Sequence, residues 1–193
     1  MTRIVAVEGV DGSGKSRFAA AMADACRADG MPATVLHIDD FRRELDFTGL
    51  DGEAEAARYY ERYFDLAALD RELAALAAPA AGVEVAIVEG VFALRVAAVA
   101  AGAPLVLLAV SAEEARRRIL RRDRAKGRSD EEINRRIARR YFPARDRYYA
   151  ELDPEARADA IVDNEDWQRP RLVRRAPGRF PAPIERLLEG LAR

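Results

Sequence analysis

The sequence predicts a three-layer α/β fold: a five-stranded parallel sheet with helices on both faces and an Arg-rich helical lid. Three observations carry this. Gly9 to Ser16 reads GVDGSGKS, a Gly-rich stretch set between a short β-branched run and an Ala-rich run of helical spacing. Further short apolar runs then alternate with helical stretches, the pattern of parallel strands joined by crossover helices. Last, Arg116 to Arg128 reads RRRILRRDRAKGR, with seven Arg and one Lys against a single Asp.

The first stretch matches G-x-x-x-x-G-K-[ST], the phosphate-binding P-loop, so the fold expected is that of the P-loop NTPases. Gly9, Gly12 and Gly14 free the backbone to turn successive N–H groups onto phosphate oxygens. Lys15 brings a compact charge to the β- and γ-phosphates, and Ser16 offers a hydroxyl to Mg²⁺. The chain writes positive charge as Arg except at Lys15 and Lys126, which suits a site where a guanidinium would not substitute for an ammonium. The loop is flanked as the motif requires. Arg3 to Glu8 (RIVAVE) reads as a buried strand, and Ser16 to Asp29 reads as a helix with Phe18, Ala19, Met22, Ala23 and Cys26 on one side, stopped by Gly30 and Pro32.

Ala33 to Ile38 is a second strand running into Asp39, Asp40 and Phe41. In an open α/β sheet ligands sit beyond the carboxyl ends of the strands, so both Asp residues belong at the rim of the P-loop. They read in two ways: as a base that takes a proton from a hydroxyl attacking the γ-phosphate, or as caps of a turn. Arg42 to Gly52 is a mobile loop. Glu53 to Ala78 is helical with a break near Asp65, and its Tyr and Leu stripe reads as core, the alternative being that Tyr59 or Tyr63 touches substrate.

Val83 to Val88 is a third strand ending in Glu89, placed to organise Mg²⁺. Leu105 to Val110 is the fourth, followed by a Ser111/Glu114 capping box. The Arg-rich helix then reads as a solvated face, as a nucleic-acid patch, or as a lid over triphosphate, and the lid suits the site best. With Gly127 as a bend and Ser129/Glu132 capping a second helix from Asp130 to Tyr141, the lid spans about 116–142. Pro143 and Pro154 bracket a short aromatic segment. Ala158 to Val162 is a fifth strand, about 166–183 is an irregular Pro- and Arg-rich tail, and Ile184 to Leu191 is a terminal helix.

Composition bounds the rest. At 193 residues with a net charge of −1 the chain is expected to be one domain, 1–193, and gives no global case for nucleic acid or an anionic membrane. Cys26 is the lone cysteine and His37 the lone histidine, which excludes an internal disulfide and His-cluster zinc sites. With no signal peptide and no apolar run near 18 residues, a cytoplasmic protein is expected.

P-loop, strand-end Asp, strand-end Glu and Arg lid in that order resemble the uridine kinase family, whose relatives include nicotinamide riboside kinases, pantothenate kinase and phosphoribulokinase. The resemblance covers roughly residues 3–163 and is carried by HIDDF at 37–41, YFDLAALDREL at 63–73, VEGVFAL at 88–94, RRDRAKGR at 121–128 and ADAIVDN at 158–164. It implies Asp39 as catalytic base with Phe41 its aromatic partner, Glu89 beside Mg²⁺ and acceptor, and contacts to phosphates or substrate from Arg118, Arg122 and Arg128. Two features depart from the family's pattern: only PAAGVE stands where uridine kinases carry a base-binding segment, and Arg42 follows the D-x-F motif in place of Tyr.

The candidate sites are therefore Asp39, Glu89, Lys15 and Arg122 for catalysis. Gly9, Asp11, Gly12, Ser13, Gly14, Lys15, Ser16, Arg17, Arg118 and Arg128 are the candidates for nucleotide, and Ser16, Asp39 and Glu89 for metal. The cofactors expected are ATP and Mg²⁺, and the partner a small-molecule hydroxyl acceptor. Homo-oligomerisation is left open. The rivals are kinases for nicotinamide riboside, pantothenate or a sugar, and a non-kinase P-loop ATPase or switch. The chain has no N-K-x-D guanine-reading motif, which weakens the switch.

Overall fold

The computed structural model describes residues 2–192. Its strands are β1 (Arg3–Glu8), β2 (Ala33–His37), β3 (Val85–Glu89), β4 (Leu105–Ala109), β5 (Ala160–Asp163) and β6 (Arg171–Arg175). Its helices are α1 (Lys15–Ala28), α2 (Gly52–Arg62), α3 (Leu66–Leu76), α4 (Ala97–Ala100), α5 (Ala112–Arg124), α6 (Asp130–Arg136), α7 (Phe142–Leu152), α8 (Pro154–Arg157) and α9 (Ala182–Gly190). The sheet order is β2-β3-β1-β4-β5-β6, with the first five strands parallel.

The strands are apolar on both faces because helices cover both. In β1, Val5 and Val7 pack toward α1 and α9, with Phe18, Met22, Ile184 and Leu188, while Ala6 between them faces the opposite core. That second core holds Leu36, Leu69, Leu73 and the aromatic residues Tyr59, Tyr60, Phe64, Phe92 and Tyr148. Alternation along each strand thus feeds two cores, which is how a parallel sheet becomes the middle of three layers.

Three expectations are corrected. The tail holds a sixth strand, β6, which runs antiparallel to β5. Pro170 and Pro177 bound it, and an edge strand needs backbone donors on one side only. Its arginines are balanced from neighbouring elements, Arg171 on Asp163 at 2.6 Å and Arg175 on Glu189 at 3.0 Å. Second, the helix after Ser129 does not stop before Pro143. It passes through a π-helical turn, Ile137–Tyr141, into α7, so Tyr148 and Tyr149 are helical. Pro143 has no N–H to give back to the preceding turn, and the widened turn stands where that bond is missing. Third, the Ser111/Glu114 box is half formed. Ser111 Oγ accepts from the Glu114 N–H at 3.1 Å, but the Glu114 carboxylate turns to Arg117 and Arg118, and the Ser111 N–H donates instead to Glu165 at 2.8 Å.

The break at Asp65 is as the sequence suggests. Its carboxylate accepts from the Ala68 N–H at 3.0 Å and caps α3. The lid carries a small core of its own, Ile119, Ile133 and Ile137.

Candidate active site

The carboxyl ends of β1, β2 and β3 converge on one cleft of about 260 Å³. It is lined by Asp11, Gly12, Gly14, Lys15, Ser16 and Arg17 from the P-loop and α1, by Asp39 after β2, by Glu89, Gly90 and Val91 after β3, and by Arg118, Arg121 and Arg122 from α5. Sequence neighbours supply the loop, and strand register supplies the rest: Glu89 is paired with Val7 on one side and His37 on the other.

The loop's backbone needs its glycines. Gly12 (φ 81°) and Gly14 (φ 95°) are left-handed. A Cβ at Gly12 would lie 2.8 Å from the Ala115 carbonyl oxygen, and one at Gly14 would lie 2.7 Å from the Asn164 amide nitrogen. Gly14 is also the N-cap of α1 and brings no side chain to it, so the first amides of the helix remain free for an anion. Lys15 arches back over the loop and donates to the Val10 carbonyl at 2.8 Å, which leaves two ammonium protons unassigned.

Ser16 Oγ donates to Glu89 Oε1 at 2.8 Å. The same carboxylate oxygen meets His37 Nδ1, so the lone histidine stands beside the Glu89 carboxylate. A hydroxyl and a carboxylate side by side form an all-oxygen donor set, which fits Mg²⁺. Among the described residues there is no group of three or more His, Cys, Asp or Glu arranged to cage a metal. Mg²⁺ does not require one, since it keeps waters and substrate phosphate oxygens in its shell. Asp39 is exposed in the turn Ile38–Phe41 and pairs with no cation among the described residues.

Asp11 sits deeper. Burial pushes its carboxyl above the usual range, against the pull of Lys15 and Arg122. Arg122 Nη1 is 3.8 Å from Asp11 and its Nε is 2.7 Å from Asp123.

The lid arginines divide. Arg118, only 10% exposed, lines the cleft but is bonded to backbone at and beside the P-loop. It donates to the carbonyls of Gly12 (3.3 Å), Ser13 (3.4 Å), Asn164 (2.8 Å) and Glu165 (2.8 Å), and to Glu114. Arg128 is turned to Asp123 at 3.1 Å and does not line the cleft. Arg121, which the sequence reading passed over, does line it. Arg17 also reaches the cleft, with its guanidinium stacked 4.1 Å over the ring of Trp167.

Two buried residues behind the loop were not legible beforehand. Asn164 Nδ2 donates to the Ser13 carbonyl at 2.6 Å. Glu8 accepts from the Gly9 N–H (3.0 Å), from the Ala93 N–H, and from Tyr148 Oη (2.7 Å). Burial pushes the Glu8 carboxyl up to about 7 despite those donors.

No family profile matches the sequence, and no curated protein matches it. Solved structures do. A protein from Bacillus stearothermophilus, provisionally described as a uridine kinase, shares the fold with a TM-score of 0.59 at 20% identity, over 83% of this chain and 88% of that one. A protein from Silicibacter sp. TM1040, provisionally described as a fructose transport system kinase, matches with a TM-score of 0.56 at 26% identity, over 75% of this chain and 83% of that one. The chain has the P-loop kinase fold. No helix among the described residues is long and apolar enough to cross a membrane.

Proposed function

We propose that this protein is an ATP-dependent small-molecule kinase that transfers the γ-phosphoryl group to an alcohol. The observation that carries the reading is the cleft in which Asp39 and Glu89, from the ends of two strands, face Lys15 and Ser16 of the P-loop. The loop amides and Lys15 hold the triphosphate. Ser16 and Glu89 hold Mg²⁺, which when bound screens the phosphate charge. Asp39, unpaired and solvent-facing, accepts the proton of the attacking hydroxyl, and Arg121 and Arg122 meet charge developing on the transferring group.

The acceptor of a uridine kinase-like enzyme is a nucleoside. Here the departures at 79–84 and at Arg42, together with likeness to a protein described as a sugar-system kinase, favour another metabolite alcohol. The test is ADP release with MgATP against nucleosides, nicotinamide riboside, pantothenate and sugars, with and without RNA. One stimulating small molecule is expected; stimulation by RNA alone, or by nothing, refutes the kinase.

A further inference from the structure

A second cavity, of about 380 Å³, lies between the loop after Asp39 and the helix of the lid. Its floor is Glu55 of α2, whose side chain is 2% exposed. Three guanidiniums converge on that one carboxylate: Arg140 at 2.6 Å, Arg139 at 3.1 Å and Arg135 at 3.3 Å. Arg136 also lines the cavity and pairs with Glu132 at 2.5 Å. Four cations against Glu55 and Glu132 leave an excess of two positive charges.

Structure alone does not call for that excess. One carboxylate is satisfied by one or two guanidiniums, and each further cation brought into a part-buried space repels the others. The Nε of Arg136 is buried and lacks a hydrogen-bond partner, an unfavourable state that an anion's oxygens would relieve. The arginines are held in place: Arg140 stacks 3.8 Å over the Phe47 ring, and Arg139 donates to the Leu50 carbonyl. Arg139 and Arg140 leave the helix at the π turn, a feature frequent at functional sites.

Two elements link the cavity to the proposed phosphoryl-transfer site. The loop that walls it begins at the Asp39 turn and is pinned there by backbone bonds from Arg43 to Tyr63 and from Asp65 to Phe41, both 2.8 Å. On the other side, Arg140 is followed directly by Tyr141, which lines a small pocket with Asp11 and packs 5.4 Å from the Tyr59 ring.

We infer that this arginine-lined cavity binds a phosphate or carboxylate group carried by the hydroxyl acceptor, so that the acceptor is an anionic small molecule. The acceptor assignment rests on the kinase reading above; the anion site does not.

Two measurements separate them. First, with the P-loop saturated by a non-hydrolysable ATP analogue and Mg²⁺, inorganic phosphate is titrated calorimetrically into the wild type, Arg139→Gln and the double variant Arg135→Gln/Arg139→Gln. Each variant's unfolding midpoint is checked first, Arg140 remaining on Glu55. The wild type is expected to bind phosphate and the variants to bind it at least tenfold more weakly, with analogue affinity unchanged. No binding, or binding insensitive to both substitutions, overturns the anion site.

Second, paired acceptors differing in one charge, such as a sugar and its monophosphate or pantothenol and pantothenate, are compared as substrates. The anionic member is expected to have at least a tenfold higher kcat/KM, and Arg139→Gln to raise its KM at least tenfold with kcat within twofold. Equal turnover of the neutral members overturns the acceptor assignment and leaves the kinase standing. Turnover of none overturns both, while the phosphate titration still decides the anion site.

Discussion

Ser16 and Glu89 stand 73 residues apart in the chain, yet Ser16 Oγ donates to Glu89 Oε1 at 2.8 Å. This bond ties the first turn of α1 to the end of β3 and sets the oxygen pair proposed for Mg²⁺. Glu89→Gln keeps the shape but removes the charge. The concentration of Mg²⁺ giving half-maximal turnover should rise about 10–100-fold. A titration of activity against Mg²⁺ reads it directly, and an unchanged midpoint would take Glu89 away from the metal.

Asp39 is exposed at the rim, free of any cation among the described residues. Asp39→Asn should lower kcat by about 10²–10⁴-fold while leaving KM for ATP within a factor of about two, since only proton acceptance is lost. Steady-state kinetics at saturating acceptor check it. Unaltered kcat would leave the residue as the turn cap its position also permits.

Arg118 is bonded to four carbonyls around the P-loop and to Glu114. Arg118→Ala should therefore act on stability, lowering it by about 3 kcal/mol in urea unfolding, because buried acceptors and the Glu114 charge lose their donor. If stability holds and only ATP affinity falls, the guanidinium belongs on the phosphates instead.

Glu8 gives a pH signature. Its carboxyl has an ordinary value of 4.5 when unfolded and about 7 when folded. Below pH 4.5 it is protonated in both states and costs nothing. As pH rises toward 7 the unfolded chain ionises first, so folding stability is lost across that window. The stability of Glu8→Gln relative to wild type should be flat below pH 4.5 and climb by about 3 kcal/mol by pH 7. Denaturant midpoints at a series of pH values decide it, and a difference independent of pH would mean Glu8 is ionised in the fold.

The sequence by itself determined what depends on short stretches of chain. GVDGSGKS is a P-loop because eight consecutive residues specify the backbone and its charges, and Asp39 and Glu89 were legible because a parallel sheet aligns the carboxyl ends of its strands at one rim. Only the tertiary structure decided which arginines face what. Arg118 and Arg121 stand one turn apart on α5 and both line the cleft, but only Arg118 is bonded to the P-loop carbonyls of Gly12 and Ser13. Nor could spacing reveal β6, whose pairing is made by the open edge of β5. The same holds for Glu8, whose partner Tyr148 is 140 residues away, and for the three arginines that meet Glu55. Local propensity acts within a few residues. These contacts were decided by packing, which joins groups without regard to their distance along the chain.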